Sequence, residues 1–360
     1  MLEYGKFPPL AIGGLNARLA IVQGGMGVGV SLSGLASAVA ERGGIGVIAA
    51  AGIGLLDPDA VKDFCAANIR MLRAEIRRAR ELTKGVLGVN IMAALTDFAA
   101  LVRTAVEEKI DIIFVGAGLP LNLPELVGKG VATKLAPIVS SARAAALILR
   151  RWTERYDYLP DAFVVEGPKA GGHLGFKKEQ LDDPEYSLEK IVPEVVEAVR
   201  PFAERYGRPI PVIAGGGVYT GADAKRILEL GASGVQMATR FVPTAECDAD
   251  ADFKQTYVDA KEGDLEIIAS PVGLPGRAIR NDFLDEVAAG KKQPFACPFH
   301  CIVSCEPDKA PYCISLALKN AMRGRLKAGF AFAGSNAWRT EKIGSVGEVI
   351  AAIEDEYSKA

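Results

Sequence analysis

The chain has only two histidines and six cysteines in 360 residues, and aromatic side chains make up 7% of it. So few cysteines in so long a chain exclude a small secreted scaffold held together by disulfides. Neither charge is in excess: 42 Lys and Arg face 44 Asp and Glu, a formal net charge of -2, with a pI near 5.9. That balance argues against nucleic acid or an anionic membrane as a partner. A bilayer span takes roughly 20 apolar residues, and the longest apolar stretch, Ile45–Leu56, is shorter and broken by glycine. Met1–Gly14 has no apolar h-region, so no signal peptide is expected and the chain is expected to be cytoplasmic.

Apolar residues are plentiful. At 49% hydrophobic and 24% charged, the chain can bury a large core and is not disordered. Its 39 glycines cluster behind apolar runs, where they let backbone come close to a ligand. Val- and Ile-rich runs recur at Leu19–Gln23, Gly46–Ala49, Leu87–Ile91, Asp111–Val115, Lys134–Val139, Ala162–Glu166, Pro211–Ala214 and Gly234–Ala238. They are continuous rather than alternating, as in strands buried on both faces. Amphipathic stretches lie between them: Leu35–Arg42, Val61–Leu82, Thr96–Glu108, Ala142–Tyr156, Ile191–Tyr206 and Gly221–Leu230. Eight such alternations predict an α/β fold, a TIM (β/α)8 barrel, with a doubly wound open sheet as the alternative. The arginines of Ile69–Lys84 read as a solvated helix face. From about Pro243 to Ala321 the pattern breaks into helical pieces and Pro/Gly turns. This reads as a C-terminal elaboration over the barrel mouth, with 1–242 and 322–360 forming the barrel. Ser345, with Glu348 three residues on, is expected to cap the last helix.

Three segments carry chemistry. Pro211-Val-Ile-Ala-Gly-Gly-Gly217 runs a strand into three glycines and then a helix. Glycine lets N–H groups approach an anion, and a helix N-terminus adds partial positive charge. Gly234-Val-Gln-Met-Ala-Thr-Arg-Phe241 follows, ending in Thr239 and Arg240. In a barrel these are strands seven and eight, whose loops commonly form a phosphate site. The second segment is the glycine-rich loop Val164–Gly175, which holds His173 at the end of the sixth strand. Imidazole exchanges protons near neutrality, and catalytic groups of barrels emerge there; the other reading is a histidine that only bonds backbone. The third pairs Gln23-Gly-Gly-Met-Gly27 with Val89-Asn-Ile-Met92. A flat ring needs close backbone, an apolar wall such as Met26 and an amide such as Asn90, although Met26 serves equally as core filler.

Taken in order, Ile21-Val-Gln-Gly-Gly-Met26, Gly88-Val-Asn-Ile-Met92, Gly116-Ala-Gly-Leu-Pro120, Glu166-Gly-Pro-Lys-Ala-Gly-Gly-His-Leu-Gly175, Gly215–Gly217, Met237–Thr239 and Arg277-Ala-Ile-Arg-Asn281 carry a resemblance. From about Ala20 to Phe283 the chain resembles the nitronate monooxygenase family, formerly 2-nitropropane dioxygenases, and its relative, the FMN-dependent enoyl-ACP reductase II. The resemblance implies an FMN oxidoreductase with the phosphate on Gly217 and the Gln236–Thr239 turn, and the ring against Gly24–Met26, Asn90 and Gly175. Carried over residue by residue, the cofactor set is Gly24, Gly25, Met26, Asn90, Glu166, Ala170, Gly171, Gly172, Gly175, Gly215, Gly216, Gly217, Gln236, Met237, Ala238 and Thr239. His173 matches the family's catalytic histidine. The implied reaction is oxidation of alkyl nitronates or nitroalkanes by O2 to carbonyl compounds and nitrite.

The same motifs also serve NAD(P)H-dependent reductases of enoyl thioesters or quinones. Under the thioester reading an acyl carrier protein would be the partner, docking on Lys177, Lys178, Lys291 and Lys292, which otherwise read as solvated charge. A flavin-binding redox sensor without turnover is a further alternative. Otherwise the expected partner is a small-molecule substrate, with no nucleic acid or membrane, and a homodimer is compatible. Inosine-5′-phosphate dehydrogenase, another phosphate-binding barrel, uses a loop cysteine, and neither Cys65 nor Cys247 lies in a matching loop.

Cys297-Pro-Phe-His-Cys301-Ile-Val-Ser-Cys305 and Cys313 fall outside the resemblance. Four soft ligands this close in sequence suit zinc or an iron–sulfur cluster; the alternative is a set of reduced, buried thiols.

Overall fold

The computed structural model describes residues 6–292 and 296–360. Residues 1–5 of the N-terminal reading and 293–295 of the mouth elaboration lie outside them. A hairpin, β1 (Leu10–Ile12) and β2 (Leu15–Ala17), comes first. Its Leu10 packs beside Gly234. The continuous apolar runs then give β3 (Ile21–Gln23), β4 (Gly46–Ala49), β5 (Leu87–Met92), β6 (Ile112–Gly116), β7 (Lys134–Val139) and β8 (Phe163–Glu166). After the short β9 (Gly172–His173) come β10 (Val212–Gly215) and β11 (Gly234–Met237). Each barrel strand ends within two residues of the expected position.

All strands from β3 to β11 except β9 form one parallel sheet in the order β3-β11-β10-β8-β7-β6-β5-β4. Its two edges meet. Val22 bridges Ile45, Ile45 N–H donates to Ile21 O at 2.9 Å, and Gln23 N–H donates to Ile45 O at 2.9 Å. The sheet is therefore a TIM barrel and not an open doubly wound sheet. Every residue of β4, β6 and β10 is buried, which is why those runs show no polar alternation.

The outer ring comprises α1 (Ser33–Glu41), α2 (Phe64–Leu82), α3 (Phe98–Glu107), α4 (Leu123–Val127), α5 (Ala142–Tyr156), α6 (Leu188–Tyr206) and α7 (Gly221–Glu229). Two starts depart from the apolar period. Asp63 accepts the Ala66 N–H and begins α2 three residues later than expected, whereas α6 starts three residues earlier, behind Ser187. The α2 arginines pair outward: Arg70 with Asp57 at 2.8 Å, Arg77 with Glu108 at 2.8 Å and Arg80 with Asp111 at 2.6 Å. They form a salt-laced surface, as their spacing suggests.

Beyond β11 the chain folds over the C-terminal ends of the strands. The mouth contains α8 (Ala251–Asp259), β12 (Leu265–Ala269), β13 (Pro275–Ile279), α9 (Asp282–Ala288) and α10 (Ile314–Met322) before α11 (Val346–Lys359) closes the ring. β12, β13 and β9 make an antiparallel sheet. Residues past the expected boundary at 321 also return to the mouth: Ile279 N–H donates to Ala331 O at 2.9 Å, and Ala278 bridges Phe332. α11 begins with the expected box, Glu348 N–H to Ser345 Oγ at 3.1 Å and Ser345 N–H to Glu348 Oε2 at 2.7 Å.

α11 lies directly on α7, and a methyl group at Gly221 would strike the Ile353 carbonyl and the Tyr357 N–H. Gly221→Ala should destabilise the fold by about 1–3 kcal/mol, seen as a lower urea midpoint with an unchanged m-value. A wild-type midpoint would show that the two helices are not in contact there.

Candidate active site

A cavity of about 570 Å³ opens at the C-terminal ends of the barrel strands, a size typical of ligand pockets. The ends of β3, β5, β8, β10 and β11 deliver Gly24–Met26, Asn90, Glu166, Gly215–Gly217 and Gln236–Thr239 to its wall, and the loop after β8 adds Ala170–Gly172, His173 and Gly175. The residues marked by the resemblance are thus all brought together. Of the four clustered cysteines, Cys301 alone lines this cavity.

One corner is a bare backbone turn. Gly216 and Gly217 have φ of 92° and 104°, which side-chain-bearing residues rarely adopt, and a methyl at Gly216 would sit 2.7 Å from Gly167 O. Among the described residues, the N–H groups of Gly216, Gly217 and Val218 make no hydrogen bond. Three adjacent free donors form a nest for an anion. The mouth pins this turn: Asn336 Nδ2 donates to Gly217 O at 2.8 Å, and Gly334 N–H donates to Thr239 Oγ1 at 2.9 Å. The start of α7 is already committed. Asp223 accepts the N–H groups of Tyr219 and Thr220, and Glu356 accepts that of Gly221 at 2.7 Å. Arg240, which the sequence puts beside the turn, spends its guanidinium on Glu356 and on Tyr219 O. Anion capacity therefore rests on the glycine turn and on Lys169, whose side chain lies against Gly217 in the same cavity.

In the opposite corner a methyl at Gly25 would lie 2.5 Å from Asn90 Cβ, so backbone and amide are nearly in contact. Gln23 is fully buried. Its Oε1 accepts the Val47 N–H at 2.9 Å and its Nε2 donates to Gly24 O at 2.5 Å, which fixes the turn ahead of Met26.

His173 sits on β9, opposite Gly276 of β13, while Gly172 faces Arg277. Its Nε2 is 2.7 Å from Ser270 Oγ, and its ring meets the edge of Phe332 at 5.1 Å. Arg277 Nη1 donates to the carbonyls of Pro168 at 2.7 Å and Ala170 at 2.8 Å, anchoring the histidine loop. Burial pulls the imidazole pKa down to about 4 and pushes the Glu166 carboxyl up to about 7, because each charged form loses water. Ser270, Phe332 and Asn336 were not singled out from the sequence. Their one signal was Arg277-Ala-Ile-Arg-Asn281, which is the end of β13 and the residues after it.

A closed barrel with a glycine-walled mouth cavity, an anion nest and a buried histidine defines a ligand-binding barrel. The profile of the nitronate monooxygenase family matches residues 11–356, and the chain belongs to that family as an FMN-type oxidoreductase. It is 27% identical to (3aS,4S,5R,7aS)-5-hydroxy-7a-methyl-1-oxo-octahydro-1H-indene-4-carboxyl-CoA dehydrogenase of Mycobacterium tuberculosis, over 76% of this chain and 66% of that one, just under two thirds of the relative's length. It is 25% identical to a probable nitronate monooxygenase of Staphylococcus aureus, over 76% of this chain and 79% of that one. Among solved structures, FabK from Thermotoga maritima superposes with a TM-score of 0.73 at 29% identity, covering 95% of this chain and 94% of that one. The nitroalkane oxidase of Streptomyces ansochromogenes gives 0.73 at 21% identity over 95% and 96%, a likeness of fold. Among the described residues, no helix is long and apolar enough to cross a membrane.

Glu166 and His173 give opposite pH dependences. Folding raises the Glu166 pKa from 4.5 to about 7, so its contribution is full below pH 4.5 and is lost as pH rises to about 7. Folding lowers the His173 pKa from 6.5 to about 4, so its contribution is full above pH 6.5 and is lost as pH falls to about 4. In ligand-stripped protein, acidification from pH 7 to 4.5 should make His173→Asn gain stability relative to the wild type and Glu166→Gln lose it. Parallel urea midpoints for both variants across that range would refute the assignment.

Proposed function

We propose that this cavity holds FMN and that the protein oxidises alkyl nitronates and nitroalkanes with O2 to carbonyl compounds and nitrite. The fit rests on the chain's own atoms. Free N–H groups at Gly216–Val218 suit the phosphate, Glu166 and Gln236 suit a polyhydroxyl chain, and Gly24–Met26 with Asn90 suits a flat ring with an amide edge. Bound there, FMN supplies the electron-accepting chemistry that no side chain of the site has.

The observation that carries the substrate reading is the state of His173. It lines the cavity with Nε2 2.7 Å from Ser270 Oγ, and burial pulls its pKa down, so it rests neutral at pH 7 with one ring nitrogen able to accept a proton. If Nε2–H donates to Ser270 Oγ, Nδ1 is left bare for a proton from the carbon next to a nitro group. Ser270 orients the ring, and Phe332 packs against it at 5.1 Å. A second reading is favoured by one feature, the apolar wall of Leu95, Ile302, Ile314 and Leu318. That wall would accept the acyl chain of an enoyl thioester, in keeping with the likeness to FabK.

Anaerobic titration of the flavin band at about 450 nm separates the two. Bleaching by an alkyl nitronate and not by NADH or NADPH is expected; bleaching by a nicotinamide alone would replace the nitronate reading with a reductase. His173→Asn should lower kcat/KM for a neutral nitroalkane by about 10²–10⁴-fold, and for preformed nitronate far less. Equal losses on both substrates would exclude the base role.

A further inference from the structure

The cysteine segment does not carry the zinc or iron–sulfur site that its sequence suggests. Cys297, Cys301, Cys305 and Cys313 are free thiols, and among the described residues no three His, Cys, Asp or Glu side chains are arranged to hold a metal ion. Cys301 Sγ turns instead to Ser315 Oγ at 3.2 Å.

The cavity itself holds an unused group. Among the described residues, Lys169 is the single lysine or arginine that lines it, and Glu166 is the single carboxyl side chain. The arginines around the glycine turn and the histidine loop are committed elsewhere. Arg240 pairs with Glu356 at 2.7 Å, and Arg277 bonds the carbonyls of Pro168 and Ala170. Arg339 lies over the Tyr219 ring at 5.1 Å, with Asp223 3.9 Å from its Nη1. Lys169 has no such partner: among the described residues, no hydrogen bond or ion pair engages its ammonium.

The backbone that carries this lysine is fixed at three consecutive carbonyls. Pro168 O and Ala170 O accept Arg277 Nη1 at 2.7 and 2.8 Å, and Lys169 O accepts the Ser335 N–H at 3.1 Å. The side chain therefore leaves from a set position, and its stem lies on the glycine turn. A methyl group at Gly217 would come within 3.0 Å of Lys169 Cβ and 3.2 Å of its Cδ. The bare glycine is what gives the stem room to lie there. Nζ is two bonds beyond a Cδ that already packs on the turn whose N–H groups, Gly216–Val218, are unbonded.

We propose that Lys169 is the counter-charge for the flavin phosphate and the residue that makes the site prefer FMN to riboflavin. This role rests on the placement of FMN in the cavity proposed above. Backbone N–H groups orient a phosphate but carry no net charge, whereas an ammonium adds a Coulomb attraction that a flavin without phosphate does not feel. Lys169 is exposed, so water and salt screen that attraction and its share of the affinity is modest.

The test reads flavin binding and not turnover. Full-chain apoprotein is titrated with FMN and with riboflavin at low and high salt, following the quenching of flavin fluorescence. Wild type should prefer FMN, with an FMN affinity that falls as salt rises and a riboflavin affinity that does not. Lys169→Met should weaken FMN by about tenfold, leave riboflavin unchanged and flatten the salt dependence, while Lys169→Arg keeps all three wild-type behaviours. FMN binding by Lys169→Met within about twofold of wild type, or an equal loss for both flavins, would overturn the role of the lysine and leave FMN in the cavity. A wild type that binds neither flavin would overturn the FMN placement as well.

Discussion

A guanidinium with no carboxylate bonded to it, among the described residues, sits at the seam between barrel and mouth. Arg277 is 8% exposed and donates to two carbonyls of the loop after β8, with the charge of Asp182 acting on it from farther away. Arginine keeps its proton even when buried, so those carbonyls cannot be withdrawn without leaving a dehydrated cation. The β9–β13 pairing follows from this constraint. That pairing sets where His173 points, and its partner Ser270 is the residue that follows β12.

The cavity is built by refusing hydrogen bonds as much as by making them. Around α7 every strong group is consumed locally: Asp223, Thr220, Glu356 and Arg240 satisfy one another and the first helical N–H groups. The glycine turn just before them is left unsatisfied. An unpaired donor is costly in the interior, and here the cost falls where an anionic ligand would relieve it. Proton affinity is divided in a similar way. One strand end and its loop carry a carboxyl whose pKa burial raises to about 7 and an imidazole whose pKa burial lowers to about 4, shifts in opposite directions with one cause, the loss of water.

The barrel was legible because its information is local. Leu135–Val139 and Gly46–Ala49 carry no polar side chain at any position, and such runs have few destinations other than a doubly covered strand. The glycine-rich strand ends could be read for the same reason. The mouth could not be read in this way. Ser270 matters because it meets His173 across 97 residues of sequence, and Asn336 because it meets Gly217 across 119; no window of sequence contains either pair. Arg240 misled in the other direction. Its position suggested an anion ligand, but the last helix supplies Glu356 116 residues later and takes the charge. The N-terminal hairpin has strands of only three residues, too short for any period to show.

The order of the elements along the chain also sets a schedule for biosynthesis. The last barrel strand is complete at Met237, yet the groups that enclose the cavity continue to Asn336, about a hundred residues later. At translation rates of roughly 5–20 residues per second, a nascent chain spends about 5–20 s with all eight strands made and its pocket unroofed. The glycine turn lacks Asn336 for all of that interval, whereas Ser270 and the buried Arg277 are made within its first half. Ligand capture therefore belongs to the end of synthesis, when the ribosome has released enough chain for the roof to settle.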